Sequence, residues 1–256
     1  WIKRCVDLDA GLWNSTDARV KDAILYGIKR GDIWLNKIKY DDNGIRIYGN
    51  VCLEVYLPSR GTCLLQHVNL AACELSTLEK AFTEGMSELC RLHGRTGVGA
   101  TGEYLSADND RQVGLGVLGL ANLLARYKVT YEEFGDALEN VNIGQYSQGL
   151  GYELAFNLML GIQKAADIAE ENNMVRAFAI APTASCSYKS ESLDGFTATP
   201  EIAPPIGRWV DRDSGTFGVE RYKYGDVEIA SEVGWTAYKK VADQIMIMLD
   251  NTGLLH

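Results

Sequence analysis

No stretch of the 256 residues approaches the run of roughly 18 apolar residues that a membrane-spanning helix requires, so no membrane partner is expected. The six cysteines (Cys5, Cys52, Cys63, Cys73, Cys90 and Cys186) include no C-x-x-C pair. Without a secretion signal they read as reduced cytoplasmic thiols, not as a disulfide framework. No second histidine or carboxylate stands at metal-ligand spacing from His67, so no protein metal site is expected. Neither G-x-G-x-x-G nor G-x-x-x-x-G-K-[ST] occurs with the right flanks, and the glycines at 94, 97, 99 and 102 read as a loop. Positive charge is also short: the net charge is −9 and the pI about 4.9, which argues against an extended nucleic-acid surface. A nucleotide can still bind locally through helix N-termini and a few cations. There is no internal repeat and no low-complexity segment. The start, Trp1-Ile2-Lys3-Arg4, lacks an initiator methionine and a signal-peptide run, which suggests an internal piece of a longer protein.

What remains is an ordinary globular composition, 46% hydrophobic and 23% charged, enough for a large core. Thr16-Asp17 opens a helix to about Lys29, ended by Gly31. Asp41–Gly44 is a turn, and Ile45–Tyr48 alternates as a strand. Ser76 with Glu79 makes a capping box for a helix running to about Leu92. Asp108 or Asp110 caps a helix with Val113, Val117, Leu120, Leu124 and Tyr127 as its stripe and a glycine-rich start at Gly114, Gly116 and Gly119. Thr130 and Glu133 form another capping box. A long helix spans about Asn142 to Asn172, with Leu154, Phe156, Leu158, Ile162 and Ala165 apolar. Ala177–Ala181 is a continuously apolar strand of the kind a buried parallel sheet contains. Leu193 to Pro205 is a loop, and Glu232 to about Asp250 is helical.

Two stretches carry chemistry. Asn50-Val51-Cys52-Leu53-Glu54 reads as extended, with a period of two that puts Asn50, Cys52 and Glu54 on one face and Val51, Leu53 and Val55 on the other. An amide, a thiol and a carboxylate so aligned could orient a substrate, abstract from it and accept its proton. The competing reading is an amphipathic edge strand with a buried cysteine. The second stretch is Pro182-Thr183-Ala184-Ser185-Cys186-Ser187, directly after the apolar strand. It offers backbone N–H groups and hydroxyls at a helix start, an anion site, or an ordinary N-cap. Cys73 and Cys90 read as packing residues, and His67 as a polar residue at a strand end.

The run Gly49–Pro58, followed by Thr62-Cys63 and Val68-Asn69-Leu70, resembles the finger loop of the ribonucleotide reductase large subunit. The resemblance extends through Arg111–Ala121 and Ala181–Ser187, covering about Asp32 to Pro205. It implies an α/β fold: part of that family's ten-stranded α/β barrel, with the finger loop at about 48–62 and much of the second half-barrel. Residues 1–256 would form one partial catalytic domain. Cys52 would carry a thiyl radical, Glu54 accept a substrate proton and Asn50 hold the sugar hydroxyls. Cys63 would be half of a redox pair whose other cysteine lies upstream of this sequence. Pro182, Thr183, Ala184, Ser185, Cys186 and Ser187 would bind the substrate phosphates.

Cys63 follows Cys52 by eleven positions. This short gap resembles the adenosylcobalamin-dependent class, particularly the monomeric type that reduces ribonucleoside triphosphates with thioredoxin or a similar dithiol. The alternative is an iron-dependent class acting on diphosphates, its radical supplied by a separate di-iron subunit. Nucleotide effectors would bind outside this piece, which would be inactive by itself. A cysteine hydrolase built on Cys52 and Glu54, and a non-catalytic α/β scaffold binding nucleotide at Pro182–Ser187, stay open.

Overall fold

The computed structural model describes residues 10–216 and 218–256, so Cys5 and the N-terminal Trp1–Arg4 lie outside the described residues. The chain divides into two compact units, 1–45 and 46–256. The first contains α1 (Ala10–Ser15), α2 (Ala18–Arg30) and the short strand β1 (Lys39–Tyr40). α2 begins and ends as its cap residues dictate. The Asp17 carboxylate accepts the Arg19 N–H at 2.9 Å, and Gly31 adopts the left-handed conformation. Most of its apolar residues remain exposed, Leu25 and Tyr26 among them, with only Gly27 buried.

The second unit is mixed α/β. A hairpin pairs β2 (Arg46–Gly49) with β3 (Tyr56–Leu57) antiparallel, Tyr48 opposite Leu57. A parallel sheet follows in the order β4 (Leu65–Asn69), β5 (Gln112–Leu118), β6 (Arg176–Phe178). The crossover from β4 to β5 carries α3 (Leu78–His93). That from β5 to β6 carries α4 (Leu120–Tyr127), α5 (Tyr131–Asn142) and α6 (Leu150–Glu171). A four-residue helix α7 (Ala184–Ser187), a hairpin of β7 (Trp209–Asp213) and β8 (Val219–Lys223), and α8 (Ala230–Asp250) complete it. The chain then returns to the sheet: Leu255 bridges Phe178 in parallel, and the Leu254 carbonyl accepts the Ala177 N–H at 2.7 Å.

The core lies between the sheet and its helices. All seven residues of β5 are buried, as its central place requires. Leu115 and Val68 point to α3, where they approach Gly85. α3 packs on α6, with the Phe82 ring seated against Gly161. α6 buries Leu154, Leu158, Ile162, Ala165 and Ala169, a stripe at helical spacing. α5 packs on α8, and the Asn142 side chain donates to the Gln244 carbonyl at 2.9 Å.

Five sequence expectations change. The helix placed over Val113–Tyr127 is a strand followed by a helix. Val113, Leu115 and Val117 alternate in β5, and α4 begins only after Gly119, whose φ of +80° breaks the strand. Asp110 therefore caps no helix; its carboxylate accepts the Thr62 N–H at 2.7 Å. The Ser76–Glu79 capping box is absent. α3 starts at Leu78 after a 3₁₀ turn in which the Glu74 N–H donates to the Thr77 hydroxyl at 2.9 Å. The helix expected from Asn142 begins at Leu150, because α5 uses residues up to Asn142 and a loop with positive φ at Gly144 and Gly149 intervenes. Phe156 leaves the apolar stripe and stacks on Tyr152 at 6.1 Å, partly in solvent. The caps at Asp17, Gly31, Thr130 and Glu133 form as the sequence predicts, and the parallel strand expected over Ala177–Ala181 is present but shorter, spanning Arg176–Phe178.

Candidate functional site

Asn50-Val51-Cys52-Leu53-Glu54 is the turn of the β2–β3 hairpin, not an extended strand. The Asn50 N–H donates to the Val55 carbonyl at 3.1 Å, and the Leu53 N–H to the Asn50 carbonyl at 3.2 Å. The Asn50 side-chain oxygen accepts the Val55 N–H at 3.4 Å. Asn50 thus brackets the turn through both backbone and side chain, a role suited to a short amide. Leu53 sits at φ +68°, a left-handed conformation that costs a residue with a Cβ about 1–2 kcal/mol. The alternation expected of a strand is lost with it. Val51 does not anchor an apolar face, being 80% exposed, while Val55 is buried. Cys52 stands exposed at the tip.

Val55 marks where the hairpin meets the sheet. Its Cγ1 lies 3.5 Å from the place a Cβ on Gly114 would occupy. β5 turns Gln112, Gly114, Gly116 and Leu118 to this face and Val113, Leu115 and Val117 to the helices, so the glycines clear the space beneath the loop. On β4, the pairing of Leu65 with Gly114, His67 with Gly116 and Asn69 with Leu118 puts His67 on the same face.

The loop's polar groups converge with the next segment. The Asn50 side-chain amide donates to the Cys63 sulfur at 3.6 Å. Cys63 is an exposed residue, yet partial burial of its sulfur raises the thiol pKa. The Glu54 charge and Cys52 raise it further, and the Asn50 hydrogen bond opposes them. Glu54 also acts on His67, whose pKa burial pulls below 6.5 while the Glu54 charge pulls it back. The net effect favours the neutral ring. Glu54 Oε2 and His67 Nε2 are both buried without a hydrogen-bond partner among the described residues.

The structure thus gathers Asn50, Cys52, Glu54 and Cys63, and adds His67, which the sequence reading treated as a strand-end residue. The available signal was parity: within β4, residues 65, 67 and 69 must share a face.

Two groups, the partly buried His256 and the buried Asp110, hold this assembly to the sheet. His256 accepts the Tyr56 N–H through Nδ1 at 3.0 Å and donates through Nε2 to the Val113 carbonyl at 2.7 Å. Asp110, nearly inaccessible, holds Thr62 beside Cys63 and accepts the Gln112 side-chain amide. Burial raises its pKa, and the Thr62 N–H, His93, Gln112 and Arg176 oppose the rise.

The second stretch lies past the C-terminal end of β6. Thr183 is buried, and both its N–H and its hydroxyl donate to the Glu201 carboxylate, the hydroxyl at 3.0 Å. The Glu201 N–H returns to the Thr183 hydroxyl at 2.8 Å. Two of the donors expected to meet an anion are thus engaged by a carboxylate of the chain itself. Pro182, Ala184, Ser185 and Cys186 are exposed, and the Ser187 hydroxyl donates to the Ala184 carbonyl at 2.8 Å. Residues 183–201 also cross the ends of the other strands. The Gly119 N–H donates to the Thr199 carbonyl at 2.7 Å, and the Asn69 side chain to the Glu191 carbonyl at 3.0 Å. In open parallel sheets ligands bind outside these carboxyl ends.

Cys73 and Cys90 are buried, as packing residues should be. Among the described residues no group of three or more His, Cys, Asp or Glu could hold a metal ion, and no helix is long and apolar enough to cross a membrane. A scan of the sequence against models of known protein families finds no match, and a search of curated proteins finds no relative.

Proposed function

We propose that this chain carries the thiol loop of a ribonucleotide reductase, which reduces ribonucleotides to 2′-deoxyribonucleotides within the ten-stranded α/β barrel of that family. The observation that supports the reading is the convergence of Asn50, Cys52, Glu54 and Cys63 around one hairpin turn. Their order in the sequence alone does not require it.

Loss of a 2′-hydroxyl from an unactivated carbon is slow, and a radical at the neighbouring C3′ weakens the C2′–O bond. Cys52, as a thiyl radical, takes the C3′ hydrogen and returns it at the end. Its exposed position at the tip suits oxidation by a group outside the described side chains. Glu54 accepts the 3′-hydroxyl proton, a general-base role that needs hydrogen-bond reach. Asn50, already fixed by its turn bonds, orients the sugar hydroxyls. Cys63 supplies a proton to the leaving water, for which a raised thiol pKa is suited because the group stays protonated at pH 7. The electrons balance when Cys63 and a second thiol, placed upstream by the resemblance, close to a disulfide as C2′–O becomes C2′–H and water departs. Thioredoxin or a similar dithiol would restore the pair.

Adenosylcobalamin, when bound, supplies the one-electron oxidising equivalent; the eleven-residue spacing favours it over a di-iron subunit. The substrate is a ribonucleoside triphosphate, or a diphosphate in the iron-dependent alternative, its phosphates at Pro182–Ser187.

The test uses the full-length protein that carries this sequence, with a ribonucleoside triphosphate and a dithiol, with and without adenosylcobalamin. Deoxynucleotide formed only with the cobalamin is the expected result. Cys52→Ser should fold and make none, since an O–H bond is too strong to relay hydrogen. Turnover by Cys52→Ser at the unsubstituted rate would refute the assignment.

A further inference from the structure

His67 has no part in the scheme above, yet it stands inside the site. Val55, the residue after Glu54, lies over Gly114, and the His67 ring lies over Gly116, its Cδ2 3.1 Å from where a Cβ there would stand. Two residues along a strand advance about 6.6 Å, so the loop carboxylate and the ring share one small patch of the sheet. The Glu54 charge acts on His67 accordingly. Each residue buries one polar atom without a partner among the described residues, an acceptor on Glu54 (Oε2) and, on His67, a ring nitrogen able to donate (Nε2). Buried polar atoms without partners are rare in folded proteins, and catalytic hydrogen bonds are often long in a free enzyme and tighten when substrate binds.

We propose that His67 is the positioning residue for Glu54, donating its Nε2–H to Oε2 when a ribonucleotide sits over the loop and leaving Oε1 to take the 3′-hydroxyl proton. The assignment rests on the reductase reading for its substrate, but the pairing itself does not. The neutral ring has a single N–H to give, and a carboxylate is the strongest acceptor within its patch. The ionisable groups facing this pair from the packed elements are Cys52 on the loop and Cys63 before β4. Gly116 of β5 lies beneath the ring, and the Ala179 carbonyl of the segment after β6 lies against Gly116.

Two measurements on the full-length protein test this. In the first, the ring of His67 is titrated by NMR of ¹³C-histidine, its signal assigned by its loss in His67→Gln, and the titration is repeated in Glu54→Gln. Removal of the charge should move the His67 midpoint to lower pH; an unmoved midpoint overturns the pairing whatever the enzyme's activity. In the second, kcat and KM are compared for His67→Leu and His67→Gln. A hydrogen bond to a charged group is worth about ten- to a hundredfold in rate, so His67→Leu should lose that in kcat with little change in KM. His67→Gln, which keeps a side-chain N–H, should recover much of it. A folded His67→Leu protein with unchanged kcat overturns the proposal. A coupled titration in a protein that forms no deoxynucleotide keeps the pair and overturns the reductase reading alone.

Discussion

Gly116 is the position where the sheet and the site make the sharpest joint demand. It has ordinary strand geometry, so alanine meets no backbone penalty there. Alanine in a strand should even gain about 0.5–1 kcal/mol from the unfolded state. Space decides otherwise. A Cβ at 116 would stand 2.3 Å from the Ala179 carbonyl oxygen and 3.1 Å from His67 Cδ2. The first of these is backbone of the neighbouring segment and cannot rotate away, so relief requires that segment to move by about an ångström. Overpacking of this kind costs about 1–3 kcal/mol, sometimes more. Set against the entropic gain, Gly116→Ala should lose about 1–2 kcal/mol net, or roughly 3–6 °C in Tm for a domain of this size.

Two comparisons isolate the cause. At Gly114 the closest atom is the Leu65 Cδ2 at 2.5 Å, a methyl that a rotamer change can withdraw, so Gly114→Ala should cost less. At Gly97 nothing lies within 4 Å, and Gly97→Ala should fall within about 0.5 kcal/mol of the parent. Urea unfolding followed by circular dichroism gives all three values under one protocol. A Gly116→Ala protein as stable as Gly97→Ala would refute the reasoning, because the close approach of β5 to Ala179 could not then be as described.

The thiol chemistry can be read without any substrate. Cys63 should be alkylated by iodoacetamide only at a pH above the ordinary thiol range, with peptide mass spectrometry following the site. Glu54→Gln, which removes a charge that raises the Cys63 pKa, should bring the onset to lower pH, and Asn50→Ala should push it higher. Shifts of the opposite sign would mean that Glu54 and Asn50 do not act on this sulfur. At the second stretch, Glu201→Gln keeps an acceptor for the Thr183 N–H and hydroxyl while removing one negative charge. A carboxylate about 6 Å from a phosphate charge opposes it by roughly 3 kcal/mol at an effective dielectric near 20, before salt screening. Equilibrium dialysis should therefore show a triphosphate binding about tenfold tighter to Glu201→Gln, and unchanged or weaker binding would separate this loop from the phosphates.

Features with a local cause were legible in the sequence. Asp17, Gly31 and the Thr130–Glu133 box act within one helical turn of themselves, and each forms where its chemistry places it. β5 was not legible. Val113, Val117, Leu120 and Leu124 fit a helical period, while Val113, Leu115 and Val117 fit a strand equally well, and the glycines argue weakly against both. The choice is made by β4 and β6 on either side, which no window of sequence contains. The site divides in the same way. Asn50, Cys52, Glu54 and Cys63 could be named from their order, but the turn that joins them depends on Leu53 at positive φ, which leucine does not advertise. His67 enters only through its register with Gly116.

The glycines that obscured β5 are thus also what makes room for the site. A strand with side chains at 114 and 116 would have read clearly as β. It would also have filled the volume where Val55 and the His67 ring rest. The cost of a poor strand former in the middle of a sheet is borne by the pairing of β5 on both edges and by the burial of Val113, Leu115 and Val117 on its other face. Only a strand so supported can spare two adjacent same-face positions. The same argument accounts for His256, which fastens the hairpin to the Val113 carbonyl by its ring, so the loop is held from the strand's edge without any side chain from the face beneath it.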